Sequence, residues 1–317
     1  MDFFTNPYYL QIATFVVLNC ILALGLYITL ATGQLSLGHA GFMSIGAYTS
    51  VVLTKQADWP FIIAILIGAL VAGLFALIIG GPTLRLQGLY LAIATLGIGE
   101  VIRVVLLNVK SLGGALGIHG IPSLGSILYG WLKAVGLDGL WGLKVPQVKA
   151  LLVFLFTTLV FLLIVLLLAR LMNSRIGRAF HAISADETAA KTMGINLAYY
   201  KMLSFILGAI IAGLAGGLYA HATTFISPKD FSYHRMVEIL SFAVIGGSET
   251  ILGPIFGALL LTTLPEVLRF LADYKMMFYG AIMILVMAFR PQGLIDATLL
   301  KKLKRSKRKA KPSVSKE

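Results

Sequence analysis

Length, composition and charge already exclude most protein classes for this chain. Of its 317 residues, 58% are hydrophobic and 12% are charged, and the mean hydropathy is +0.91. Soluble domains do not reach such values, and a β-barrel would show alternating rather than continuous apolar runs. The composition therefore predicts an all-α polytopic membrane protein, in which runs of roughly 20 apolar residues each cross the bilayer.

The net charge of +13 is concentrated at one end of the chain. Nine of the 26 lysines and arginines lie in residues 301–317, directly after the last apolar run. We predict that this segment is a disordered cytoplasmic tail lying near anionic lipid, and we favour this over nucleic-acid binding. The single cysteine, Cys20, excludes a disulfide within the chain and cysteine-based zinc or redox chemistry.

The apolar runs divide residues 1–300 into about nine membrane segments, with a range of eight to ten if some are re-entrant. The positive-inside rule places the polar loop 171–201 in the cytoplasm, which puts the long loop 110–149 and the N-terminus outside. The predicted segments are 9–31, 33–54, 59–80, 89–108, 150–169, 202–222, 237–245, a run closing at 265–269, and 276–289.

The second segment begins with a glycine-dense stretch, residues 33–48, that is only mildly polar. Its glycines can break a helix inside the protein, and its small residues allow close helix approach. Two interpretations stay open, a translocation path and plain packing, and His39 alone is expected to be a hydrogen-bonded packing residue. The candidate residues are Gly33, Ser36, Gly38, His39 and Ser44.

A second glycine-dense stretch has a similar texture and follows the seventh run. Its candidate residues are Gly246, Gly247, Ser248 and Gly253, and the spacing Gly253-x-x-x-Gly257 is typical of close helix packing. Two broken stretches in corresponding places predict two related halves with broken helices and a site between them.

The fourth span carries two charges, Glu100 and Arg103, spaced to pair on one helical face. Charges inside a span are costly and often functional. Because we expect these residues near the end of the span, an interfacial pair without a transport role is an equal alternative. In a stand-alone transporter driven by an ion gradient, Glu100 would be the candidate essential acid.

The polar loop 171–201 contains a short helix with both ends marked. Ser184 and Glu187 fit a capping box, and Gly194 is a natural stop, which together predict a helix over residues 185–193. Ala185, Ala189 and Met193 then share one face. The pattern predicts either a docking element for a cytoplasmic partner or an interfacial helix that only orders the loop.

Several chemistries are missing from the sequence. There is no P-loop pattern, no metal-ligand spacing among the histidines and no nucleophile elbow. We therefore expect no enzymatic activity and no cofactor in this chain.

Three stretches, together with segment 113–122, occur in an order that is typical of one transporter family. They are 33–48, 187–196 with the following small-residue helix, and 246–254 with 289–294 near the end. Over residues 10–295 the chain resembles the inner-membrane permease of bacterial branched-chain amino-acid ABC transporters (LivM-type). Urea and short-chain amide importers have similar permeases, so these substrates remain alternatives.

The resemblance implies a role for the short helix and a set of partners. Residues 187–196 resemble the coupling loop of ABC importers, although residues 197–200 replace its usual proline-containing end. The implied partners are two cytoplasmic ATPases, a second LivH-type permease, and an external substrate-binding protein that delivers the amino acid. The implied coupling-helix residues are Ser184, Ala185, Glu187, Ala189, Ala190, Met193 and Gly194.

Overall fold

The computed structural model is almost entirely helical, with one pair of two-residue strands. It describes residues 6–134 and 144–267, and the isolated residues 274, 277, 280, 281, 284, 285, 288 and 294. Most of the last predicted span, the motif at 289–294 except Leu294, and the basic tail 301–317 lie outside the described residues.

Helices make up nearly all of the secondary structure. In chain order they are α1 (Pro7–Leu30), α2 (His39–Lys55), α3 (Phe61–Thr83), α4 (Leu89–Asn108), α5 (Leu124–Ala134), α6 (Val145–Met172), α7 (Arg175–Ala185), α8 (Glu187–Thr192), α9 (Leu197–Thr223), α10 (Tyr233–Gly246) and α11 (Leu252–Val267). The strands are β1 (Ile118–His119) and β2 (Phe225–Ile226), and short 3₁₀ turns cover Lys110–Leu112, Gly114–Leu116 and Pro228–Phe231.

Five helices are long and apolar enough to cross a membrane, namely α1, α3, α4, α6 and α9. Helices α2, α10 and α11 are shorter, with 17, 14 and 16 residues. The all-α polytopic architecture agrees with the sequence prediction. The count of nine spans is not confirmed within the described ranges.

Both long loops contain more helix than the sequence pattern predicts. The loop 110–149 contains α5 and the first turn of α6, and α9 begins at Leu197 rather than at residue 202. Helix α7 is absent from the predicted elements. It buries Phe180 and Ile183 and exposes Arg175, which is the pattern of an amphipathic surface helix. Such a helix has too few apolar residues to be predicted as a span.

Helix α9 lies at the centre and packs against α1, α2 and α3 through glycines. A Cβ at Gly216 would overlap the Met43 carbonyl oxygen of α2, and a Cβ at Gly46 would overlap the backbone of Gly213. Phe42 of α2 also stacks edge-on against Phe205 of α9, with ring centroids 5.4 Å apart. The helix backbones therefore touch directly, as small residues permit in a membrane.

The two ends of α9 mark the two ends of the molecule. At its C-terminal end, β1 pairs with β2 in antiparallel register, Ile118 opposite Ile226, and Lys55 Nζ donates to the His119 carbonyl at 2.5 Å. We call this the ribbon end. At the other end, Gly80 of α3 packs on Met202 near the start of α9, so the loop containing Arg85 lies at the same end as α7 and α8. We call this the α8 end.

Replacing Gly216 with alanine is expected to lower the free energy of unfolding by about 1–3 kcal/mol, because the added Cβ would push α2 away from α9. Gly81→Ala is the matched control, since a Cβ at Gly81 meets nothing within 4 Å. The measurement is the thermal midpoint of the purified protein in mild detergent. Equal midpoints for the two variants would contradict the close contact.

Candidate functional site

The short helix α8 is capped by Asp186, not by Ser184. Asp186 Oδ1 accepts from the backbone N–H of Thr188 at 2.8 Å and of Ala189 at 3.0 Å. The prediction of a Ser184 cap and a helix from residue 185 was therefore wrong. Ser184 and Ala185 are the last two residues of α7. The negative carboxylate of Asp186 accepts hydrogen bonds at the N-terminus of α8, where the helix dipole is positive.

The other end of α8 closes as predicted. Gly194 has φ +81°, in the left-handed region that favours glycine. The Ile195 N–H donates to the Ala190 carbonyl at 3.1 Å, and the Gly194 N–H donates to the Lys191 carbonyl at 3.0 Å. These two bonds form a Schellman motif, which ends the helix sharply and starts the chain towards α9.

The exposed side of α8 carries Thr188, Lys191 and Thr192 together with a small apolar patch. Ala189 is exposed, Met193 is 82% exposed, and Ala190 is buried against the protein. The predicted three-residue face is thus reduced to Ala189 and Met193, because Ala185 belongs to α7. An exposed methionine beside an alanine offers a flexible apolar contact to a partner surface.

Glu187 holds α8 to the start of α9 and is not part of a capping box. Its Oε1 lies 2.6 Å from Lys201 Nζ. The Lys201 side chain is largely buried, whereas that of Glu187 is partly exposed. This ion pair is the charged connection between the short helix and the central helix. From the sequence, Lys201 counts only as one of the cations that mark the cytoplasmic side.

A buried polar network continues from Lys201 to the segment between α1 and α2. Gln34 Nε2 donates to the Lys201 carbonyl at 3.1 Å and to Thr32 Oγ1 at 3.0 Å, and Thr32 Oγ1 lies 3.0 Å from Ser204 Oγ. All four residues are buried, including Lys201. The network ties segment 31–38 to α9 directly below the Glu187–Lys201 pair.

Gly33 brings the first glycine-dense stretch against α7. It has φ +74°, and a Cβ there would contact Ser184. The structure therefore places two predicted site residues together, although neither in the role expected for it. Helix α1 ends at Leu30 and α2 begins at His39, so the predicted break in the helix lies at residues 31–38.

The other candidates of this stretch are buried within the chain. His39 Nε2 lies 3.1 Å from the Gly25 carbonyl oxygen of α1, and Ser44 Oγ donates to the Gly41 carbonyl in its own helix at 2.6 Å. Ser36 is fully buried, and Gly38 precedes the first turn of α2. These contacts are those of packing residues.

The second glycine-dense stretch forms the turn of a helical hairpin. Gly246 and Gly253 are in backbone contact, Gly247 has φ +101°, and Ser248 is exposed. The hairpin of α10 and α11 packs on the middle of α1, where Cys20, Ile245 and Ala258 share one apolar cluster. The two glycine-dense stretches thus pack mainly against different elements. Within the described ranges, no group of three His, Cys, Asp or Glu side chains could hold a metal ion.

Comparison with known proteins adds a family to this geometry. A family model described as the permease component of the branched-chain amino acid transport system matches residues 8–287. The high-affinity branched-chain amino acid transport system permease protein LivM of Escherichia coli (strain K12) is 35% identical over 299 residues, which cover 91% of this chain and 70% of that protein.

Two further relatives are a second LivM and a permease of another import system. LivM of Salmonella typhimurium is 34% identical over the same shares of both chains. The autoinducer 2 import system permease protein LsrC of Yersinia enterocolitica is 29% identical over 241 residues, which cover 71% of this chain and 64% of that protein. No solved structure is significantly similar to the chain.

The two candidate caps of α8 are separable by mutation. Asp186→Ala is expected to weaken α8 by about 1 kcal/mol, since two backbone N–H groups lose their acceptor. Hydrogen exchange of the peptide covering residues 187–194 should accelerate accordingly. Ser184→Ala should leave that exchange unchanged, and the reverse pattern would reinstate Ser184 as the cap.

Proposed function

Because the chain belongs to the family of permease components of branched-chain amino-acid transport systems, we propose that it is the membrane-spanning permease subunit of an ABC importer for branched-chain or related amino acids. Residues 1–300 form the permease domain of the bacterial inner membrane, and residues 301–317 form its cytoplasmic tail near anionic lipid. The α8 end faces the cytoplasm, whereas the ribbon end and the N-terminus face outwards. Urea and short-chain amides are the alternative substrates.

The partners follow from this assignment. Two cytoplasmic ATPases supply the hydrolysis, a second LivH-type permease completes the membrane unit, and a substrate-binding protein delivers the amino acid to the ribbon end. We favour this assignment over a stand-alone transporter driven by an ion gradient, since the matching family is described as the permease component of a larger transport system.

The observation that carries the coupling role is the construction of α8. The helix has only six residues and would not hold its shape alone in water. It is nevertheless capped at both ends, joined to the protein by Ala190 and Glu187, and exposed at Ala189 and Met193. A rigid short helix that exposes a small apolar patch fits a groove of a partner ATPase.

Movement of α8 reaches the membrane helices by two routes. The Glu187–Lys201 pair pulls on the start of α9, which packs on α1, α2 and α3. The Gln34 network and the contact between Gly33 and Ser184 pull on segment 31–38, where α1 ends and α2 begins. ATPase closure therefore shifts the central helix together with its neighbours, which changes the side from which the path is open.

The glycine-dense stretches serve this movement as packing surfaces. Ser36, His39 and Ser44 are at most 1% exposed, so in this conformation they do not line a water-filled path. Gly246 and Gly253 hold the α10–α11 hairpin together and have the same kind of role.

Ala189→Arg tests the docking role. The side chain is exposed, so the protein should fold and insert normally, but the bulky charge should block docking and reduce uptake about tenfold or more. The measurement combines ATP-dependent uptake with co-purification of the ATPases in mild detergent. Gln87→Arg, at an exposed position of the α3–α4 loop, is the matched control. Full uptake by the Ala189 variant, or equal loss in the control, would refute the docking role.

Glu187→Lys tests transmission rather than docking. Two like charges would then face each other, which should lower the amount of substrate moved for each ATP hydrolysed while the ATPases stay bound. The exchanged variant Glu187→Lys/Lys201→Glu restores opposite charges and should recover part of this ratio. The ratio is measured in proteoliposomes, and a ratio that is unchanged in the single variant would rule out the first route.

A further inference from the structure

Helix α4 carries an ion pair in the middle of a membrane span. Arg103 Nε donates to Glu100 Oε1 at 2.8 Å. Glu100 is the twelfth and Arg103 the fifteenth of the 20 residues of α4, and Glu100 lies about 16 Å from the start of the helix. Its carboxylate is therefore at a depth where a bilayer offers only hydrocarbon.

This pair is not hidden inside the chain. The Glu100 side chain is 45% exposed and that of Arg103 is 21% exposed. They lie along one edge of the outward side of α4, which is otherwise apolar and includes Tyr90, Ile93, Gly97, Val101 and Val104.

The surroundings of this pair differ from those of the other helices. The exposed sides of α3 and α6 carry leucines, isoleucine and phenylalanine, such as Leu74 and Leu159, as expected against lipid. The ion pair of Arg235 with Glu238 in α10 is largely buried, and Arg235 also donates to Asn19 Oδ1 of α1 at 2.7 Å. The Arg235–Glu238 pair is therefore enclosed by the protein, whereas the Glu100–Arg103 pair is exposed on the outward side of α4.

An exposed ion pair in the middle of a membrane span needs polar surroundings. Lipid tails supply no hydrogen bonds, and a carboxylate facing them is costly even when it is paired. From this exposure we propose that the outward side of α4 lines the water-filled translocation path, and that Glu100 and Arg103 contact the charged groups of a zwitterionic amino acid. The proposal rests on the transport function proposed above and names its site in the membrane.

The chemistry of this side matches such a substrate in three respects. The carboxylate of Glu100 suits an α-ammonium group, and the guanidinium of Arg103 suits an α-carboxylate. Ile93, Val101 and Val104 add an aliphatic surface for an apolar side chain. When no substrate is present, the two residues neutralise each other, so the path does not hold an isolated charge.

The position of α4 also connects it to the coupling route. The Leu37 N–H donates to Thr95 Oγ1 at 2.8 Å, and a Cβ at Gly41 would lie 2.9 Å from Gly99 Cα. Helix α4 thus rests on segment 31–38 and the start of α2, which the Gln34 network joins to α8. A shift of that segment moves the Glu100–Arg103 side directly.

Cysteine labelling tests whether this side is in contact with water. Gly97→Cys and Val101→Cys place a thiol beside the pair, and a Cβ at Gly97 meets nothing within 4 Å. The native Cys20 is buried and serves as the unlabelled background. Leu159→Cys on α6, which is 65% exposed, is the matched lipid-facing control.

The reagents are a charged, membrane-impermeant thiosulfonate and a lipid-soluble maleimide, applied to membranes that contain the assembled transporter. We expect the charged reagent to label residues 97 and 101 but not 159, and leucine with the binding protein to slow the labelling. Labelling of residues 97 and 101 by the maleimide alone would mean that this side of α4 faces lipid. Labelling by neither reagent would mean that it is packed against another protein surface without water. Either result overturns the proposal.

Neutral variants test the contact with substrate. Glu100→Gln and Arg103→Gln should each reduce the maximal uptake rate about tenfold, because a charged hydrogen bond to the substrate is lost. The double variant Glu100→Gln/Arg103→Gln leaves no unpaired charge, so a merely structural pair predicts recovery of uptake, which would overturn the proposal. Co-purification of the ATPases distinguishes failure of the proposed function from failure of the α4 proposal. If no ATPase co-purifies with the wild-type protein, the proposed function is wrong, whereas the labelling result still tests whether α4 contacts water.

Discussion

Direct backbone contact between helices is the constraint on which the rest of this structure depends. Lipid tails are as apolar as leucine, so burial of apolar side chains gives little drive for helices to associate inside a bilayer. In this protein Gly46, Gly213 and Gly216 let α2 and α9 approach until main-chain atoms touch. This contact fixes α9 at the centre, and it leaves no room for α9 to move without its neighbours. A transporter whose helices move together requires such packing.

Polar groups then connect this packed centre to the surface. The buried amide nitrogen of Gln34 and the buried hydroxyls of Thr32 and Ser204 are hydrogen-bonded to one another beneath a partly exposed ion pair. Such bonds favour one geometry, because breaking them would leave further polar groups unpaired in a low-dielectric interior. The short helix α8 is thereby joined to α9 and, through α9, to segment 31–38, so its position is coupled to that of the core.

Hydrophobic runs and glycines were sufficient to predict the long spans, since both signals are local. The predicted bounds of the fourth span agree with those of α4, and Gly194 ends α8 as its left-handed φ requires. The errors arose where two local signals compete or where partners are distant. Ser184 and Asp186 are both good caps, and only the continuation of α7 decides between them. The pairing of Glu187 with Lys201 depends on how the chain returns after Gly194, which no local pattern encodes.

The strand pair at the ribbon end fastens the far end of α9 to the segment between α4 and α5. Since α9 has 27 residues, it spans about 40 Å and is clamped near both tips, by Lys201 at one and by β2 at the other. A displacement at either end of α9 is therefore transmitted to the other end. Linkage then requires reciprocity: if a contact at α8 alters the ribbon, a molecule seated on the ribbon alters the affinity of α8 for its own partner by the same factor.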